Sequence, residues 1–212
     1  MFSVKSYRMI LTSSSSSTLN ELTTEQQMEV KFTAPDRYYV TSTDIDWTGS
    51  RTRKFIIIGN KQYIYDGEPP IGGYDIIEVA SSFFLKKDAV LQYLNMFINT
   101  ASDVQILAEE NISGVDCYHY TGTEDKELQM GERSSIMHID AGLWIGKDDH
   151  LIHRWQIDMQ MPDGLNETET DTSCIIIEYT DINEPISIEP PIDENGDLLR
   201  GWKVTSNSQP EF

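Results

Sequence analysis

Period-two alternation of apolar and polar side chains is the feature that most limits what this chain can fold into. In residues 27–33, Met28, Val30 and Phe32 alternate with Gln27, Glu29, Lys31 and Thr33. A strand sends successive side chains to opposite faces, so this spacing makes one apolar face and one wet face. Residues 150–161 repeat the pattern at greater length. Leu151, His153, Trp155, Ile157, Met159 and Met161 fall on one face, and Ile152, Arg154, Gln156, Asp158 and Gln160 on the other. At 174–180, Ile175, Ile177 and Tyr179 oppose Ile176 and Glu178.

Further strands are read at 5–18, 36–46, 51–58, 62–66, 103–110, 115–123 and 133–145. Short turn sequences separate them: Ala34-Pro35-Asp36-Arg37, Trp47-Thr48-Gly49-Ser50, Gly59-Asn60-Lys61, Asn111-Ile112-Ser113-Gly114 and Lys147-Asp148-Asp149-His150. Such short connections make sequence neighbours into antiparallel neighbours in space. The serine run Ser13–Ser17 reads as a strand end or hairpin loop. The expectation is a meander of about ten strands.

One segment departs from this period. In 86–99, Val90, Leu91, Leu94, Phe97 and Ile98 follow the spacing of a helical face, and Asp88 or Ser82 is placed to cap its start. The fold class expected is therefore mainly β with one short amphipathic helix (α+β), in which the helix packs across one face of the sheet. Two loops stand out. Residues 66–80 combine Pro69-Pro70 and Gly72-Gly73 with apolar residues, and Pro69, Pro70, Ile71 and Tyr74 are lid-loop candidates. Residues 162–172 are acidic and read as a second loop.

The chain has 212 residues, enough for one large all-β domain with its own core. After Glu189 the pattern decays, so residues 1–191 are read as one domain and 192–212 as an extended tail. Asp193, Asn195 and Asp197 read as a turn, because the spacing and the absence of a terminal Glu do not suit a calcium loop. Asp and Glu outnumber Lys and Arg 35 to 16, a formal net charge of −19. That field repels phosphate backbones, so no nucleic-acid partner is expected, and the charge reads as a solubilising surface. No apolar run is long enough for a transmembrane helix. The chain opens on MFSVKSYRMIL, already strand-like, and an export signal before Met1 is expected.

Little in the sequence points to chemistry. There is no phosphate loop, no G-x-S-x-G and no H-E-x-x-H, and no cofactor or metal is expected. His119 and His138 lie on strands that could pair, with Asp116 and Asp140 nearby, but two histidines without a fixed register make a weak metal signal. His153 falls on the apolar face with Trp155 and reads as a core histidine satisfied by a neighbour. Cys117 and His119 share a face two residues apart, yet no orienting group for the histidine is evident. Cys117 and Cys174 lack zinc spacing and read as buried free thiols, their pairing left open. Trp47, Tyr63, Tyr65, Phe83, Phe84 and Trp144 suit either a pocket or ordinary core and rim.

Several segments in order resemble bacterial lipoproteins of the LolA/LppX superfamily. They are VKSYRMIL, KFTAPDRYYV, FIIIGNKQYIYDG, the 86–99 helix followed by ASDVQILAEENISGVDCYHYTGT, LWIGKDDHLIHRWQIDM and IEYTDINEPISIEPP, together spanning roughly residues 4 to 191. Each piece is a generic hairpin, and their order and spacing carry the resemblance. It implies a large curved antiparallel half-barrel sheet wrapped around helix, and an exported, non-catalytic protein that carries a lipid or acyl chain in a concave apolar cavity. It also implies a location in the periplasm or on the outer face of the cell membrane, with a lipid anchor supplied by residues before Met1. The family's N-terminal helix and lipobox cysteine are not matched in this sequence. The inward-facing residues become the lipid-cavity candidates: Met28, Val30, Phe32, Ile57, Met137, Ile139, Trp155, Ile157, Ile175 and Ile177. The alternative implied by the same fold is an envelope sensor or interaction module with a self-filled cavity, for which the 66–80 loop would meet an envelope protein.

Overall fold

The computed structural model describes residues 4–17, 22–65, 104–130, 133–163 and 166–206. Their strands are β1 (Ser6–Ser17), β2 (Leu22–Thr33), β3 (Arg37–Asp46), β4 (Gly49–Ile58), β5 (Lys61–Tyr65), β6 (Gln105–Ile112), β7 (Val115–Met130), β8 (Arg133–Gly146), β9 (Ile152–Asp163), β10 (Asn166–Thr180) and β11 (Trp202–Ser206). Hydrogen-bonded neighbours run in the order β11-β5-β4-β3-β2-β1-β10-β9-β8-β7-β6. The sequence-neighbour hairpins expected from the short turns are present and antiparallel. The expected helix at 86–99, the loop 66–80 and its lid candidates Pro69, Pro70, Ile71 and Tyr74 lie outside the described residues.

The structure differs from expectation in two places. Most of 162–172 is strand rather than loop, since β9 continues to Asp163 and β10 starts at Asn166. Threonines at 168, 170 and 172 recur at strand period, and ladder pairing outweighs the loop-like charge. In addition, Trp202–Ser206, within the segment read as an extended exit, forms β11 and pairs with β5. The turn at Asp193 is as expected: its carboxylate accepts the backbone N–H groups of Asn195 and Asp197.

Contacts divide the chain into two units. The first holds Met1–Ser16, Asn20–Glu68 and Ile175–Phe212, and the second Ser17–Leu19 and Pro69–Cys174.

In the first unit, directly opposed residues share a face of the sheet. Phe32, Tyr38, Ile57 and Gln62 make one such row, and Val30, Val40, Phe55 and Ile64 the next. The opposite face carries Tyr39, Ile56 and Tyr63 in register, so the Phe55–Ile58 run supplies both faces, as a strand buried on both sides does. That second face is covered by the chain after β10. Ile188 forms a buried cluster with Ile56 and Tyr63, joined by Tyr39, Ile58, Ile186 and Trp202. Two side chains tie the segment down: Thr33 Oγ1 donates to the Ile186 carbonyl (2.7 Å) and Arg37 to the Ile188 carbonyl (2.8 Å).

In the second unit, Leu143, Ala141 and Ile139 of β8 oppose Trp155, Ile157 and Met159 of β9 on an apolar face. The other face of the same strands is polar. A bulge between Trp144 and Ile145 sets Ile152, not His153, opposite Ile145. This corrects the expected facing. Past the bulge the alternation inverts, Ile152 is buried, and His153 leaves the apolar face. Its Nε2 lies 2.9 Å from Asp149 Oδ2, and an added Cβ at Gly146 would stand 3.0 Å from it. His153 is therefore the expected satisfied core histidine, on the other side of the strand.

Candidate functional site

The first unit presents the candidate apolar face. Tyr7 lies 5.1 Å from Phe32 and 5.7 Å from Tyr179, centroid to centroid, and Phe32 lies 4.9 Å from Tyr38. These contacts place β1 and β10 in register with the row already formed by Phe32, Tyr38, Ile57 and Gln62. Two residues along each strand, on the same face, come Met9, Val30, Val40, Phe55 and Ile177, all buried. Burial pushes the Tyr7 phenol well above its ordinary range, with the nearby Tyr179 and Tyr38 adding to the shift. The other end of this face is polar. Asp44 accepts from Gln26 (2.9 Å) and pairs with Arg53 (3.6 Å). The face thus grades from an aromatic row, through aliphatic side chains, to a charged rim.

The ten cavity candidates divide between the units. Met28, Val30, Phe32 and Ile57 share this face by register, and Ile177 and Ile175 share it through Tyr179. Met28, Val30 and Ile177 are each only 1% exposed, whereas Phe32, Ile57 and Ile175 are partly buried. Met137, Ile139, Trp155 and Ile157 share the apolar face of the second unit, with Met137 partly buried and the other three buried. Trp47, weighed as a pocket aromatic, is instead 78% exposed at the β3–β4 turn.

Two polar groups on the first unit's apolar face escaped the sequence reading. Ser42 is fully buried and Gln62 is 3% exposed, and among the described residues neither Ser42 Oγ nor Gln62 Nε2 has a hydrogen-bond partner. Nothing local in 36–46 or 62–66 marks a serine or a glutamine as buried. Only the register, which sets Ser42 opposite Met28 and Gln62 opposite Ile57, shows that they point with the apolar residues.

The chemically suggestive residues of the second unit lie on its polar face. His119 and His138 share that face, as their paired strands allow, but six residues of ladder separate their rows, about 20 Å. They form no common metal site, and no cluster suited to a metal occurs among the described residues. His138 sits between Asp125 (2.6 Å) and Asp140 (3.5 Å), and the bond to Asp125 chiefly raises its pKa. His119 does have an orienting carboxylate, contrary to expectation. Glu110 Oε1 lies 2.9 Å from His119 Nδ1, while Glu110 Oε2 accepts from Trp144 Nε1 at 3.0 Å. The Trp144 N–H, and after it His119, hold the Glu110 carboxyl below its usual range. Trp144 is flanked in register by His119, stacked at 3.9 Å, and by Arg154 at 4.9 Å.

Cys117 does share a face with His119, but its thiol is directed at the Val115 carbonyl (3.5 Å), and burial raises its pKa. Cys174 is raised to about 11, first by burial and then by its bond to Asp158. Both cysteines are free. Raised thiols are poor nucleophiles, and the arrangement of Glu110, His119 and Arg154 braces a tryptophan. Among the described residues no helix is long and apolar enough to cross a membrane.

No protein-family model matches the chain, and no curated protein sequence matches it. Solved structures do. LprF from Mycobacterium bovis aligns over 89% of this chain and 90% of its own, with a TM-score of 0.50 at 14% identity. The lipoprotein LppX from Mycobacterium tuberculosis aligns over 88% and 90%, with a TM-score of 0.47 at 16% identity. A LolA superfamily protein from Nitrosomonas europaea aligns over 88% and 89%, at 12% identity and a TM-score of 0.25. At such identities the likeness is one of fold alone, and it is the fold of LprF that the chain resembles.

Proposed function

We propose that this chain, with its LolA/LppX-like fold, is an extracytoplasmic, non-catalytic protein that binds a lipid or acyl chain against its apolar sheet surface. The observation that carries the reading is the graded face of the first unit, from the Tyr7–Phe32–Tyr38 row through Val30, Val40 and Phe55 to the Arg53–Asp44 rim. The opposite face of the same strands is covered by the chain's own Ile186–Ile188 segment. A hydrocarbon chain on the first face needs no reactive side chain. Each buried methylene contributes about 0.8 kcal/mol, so a sixteen-carbon chain gains on the order of 10 kcal/mol before ordering costs. Membership of an exported lipoprotein class is part of this reading.

The test is uptake. Protein purified from cells, stripped of lipid and re-exposed to acyl lipids is expected to retain them through gel filtration. A charge introduced on the face, Val30→Asp, is expected to abolish retention, while Glu29→Gln on the reverse face leaves it unchanged. Absence of uptake by the folded, stripped protein would exclude lipid carriage.

A second reading is an envelope sensor or interaction module whose apolar face is filled by the protein itself. The 0–1% exposure of Met9, Met28 and Val30 favours it, because those side chains are already enclosed by protein. Failure of uptake in a well-folded sample would select this reading.

A further inference from the structure

We infer that the apolar face of the first unit selects acyl chains bearing a neutral oxygen acceptor, an ester carbonyl above all, and that Gln62 Nε2 donates to it. The inference rests on the lipid-binding reading and names the ligand class within it.

Gln62 stands in one row with Phe32, Tyr38 and Ile57, and Thr205 of β11 follows on its other side. Its side chain therefore belongs to the apolar face, at the end of the aromatic row. It is 3% exposed, and its Nε2 meets no acceptor among the described residues. A buried amide N–H without an acceptor forfeits its solvation, and groups of this kind in folded proteins mark an ordered water or a ligand atom. Ser42, fully buried on the same face with its hydroxyl likewise unpartnered, is a second such group. A face meant only for its own hydrocarbon packing would have little use for either.

The charge state of the acceptor follows from the row. Phe32, Tyr38, Ile57, Gln62 and Thr205 include no cation. Other cations of this face are already engaged: Arg53 pairs with Asp44, Arg51 donates to Thr48, and Lys203, opposite Ile64 in the next row, is not free. A free carboxylate would enter a low-dielectric surface without a free counter-ion in its row, on a chain of net charge −19. An ester carbonyl accepts the same hydrogen bond without that cost.

The experiment compares retention of methyl palmitate, palmitate and an alkane of matched length by stripped full-length protein, quantified by gas chromatography after gel filtration. Wild type is expected to favour the methyl ester over the alkane about tenfold, the worth of one hydrogen bond that the alkane leaves unmade, and to favour it over palmitate. In Gln62→Met the ester preference is expected to vanish while alkane retention persists. Gln62→Leu is a second apolar replacement, should the first fold poorly. Equal retention of ester and alkane by wild type, or an undiminished ester preference in the folded variants, would overturn the inference and leave lipid binding standing. Retention of none of the three by folded wild type would overturn both.

Discussion

Gly142 of β8 leaves the space that the Trp144 ring occupies: a Cβ at Gly142 would stand 2.8 Å from two ring carbons of Trp144 and 3.2 Å from His119 Nε2. The ring cannot easily yield, because His119 and Arg154 flank it and Glu110 holds its N–H. Gly142→Ala is expected to cost about 1–3 kcal/mol through overpacking. Chemical denaturation followed by tryptophan fluorescence measures it, and an unchanged midpoint would show that the ring is free to move.

Glu110 links the same network to pH. Its folded-state pKa is depressed, so the stability it contributes is present above the ordinary carboxylate value and is lost as pH falls through the depressed one. The stability difference between wild type and Glu110→Gln is expected to be largest near neutrality and to shrink below about pH 4.5. Urea midpoints across a pH series test this. A difference independent of pH would mean that the carboxylate charge plays no part.

The segment after β10 covers the second face of the first unit through Ile188, which is 4% exposed against Ile56 and Tyr63. Ile188→Ala is expected to destabilise by about 2–4 kcal/mol, the range for truncating a buried aliphatic side chain. Ile192→Ala, at a residue 42% exposed, should stay within about 0.5 kcal/mol of wild type. Equal effects at the two positions would refute this account of the cover.

The two cysteines should be chemically quiet. Burial raises the Cys117 thiol, and Cys174 is raised to about 11, so thiolate is scarce at about pH 8. Native protein is expected to react slowly with a thiol reagent, and denatured protein to titrate two free thiols. Rapid native labelling would identify an exposed thiolate and reopen the question of a nucleophile.

The strand inventory was legible because alternation is local. Met28, Val30 and Phe32 declare a face within one strand, and the turn Ala34–Arg37 joins that strand to the next without reference to distant residues. His153 shows where this fails. A single extra residue in β9 inverts the alternation, and nothing in 150–161 marks which residue is extra, since Leu151 and Ile152 are both apolar. The Glu110 contact to Trp144 spans 34 positions and leaves no trace in either segment. Trp47 misled for the converse reason: its size suggested burial, whereas its turn position decided exposure.

By itself the sequence determined that the described residues form antiparallel strands, where most of those strands begin and end, and, the β9 bulge apart, which side chains of a strand share a face. Those properties follow from backbone pleat and turn chemistry, which act over a few residues. Only tertiary structure decided that Tyr7, Tyr179, Phe32 and Tyr38 meet in one row, that Ile188 covers the reverse face, that Trp202–Ser206 returns to β5, and that Gln62 is buried without a partner. Each of these depends on which strands lie side by side and in what register. That choice is made by the sum of many weak long-range contacts, and no local pattern encodes it.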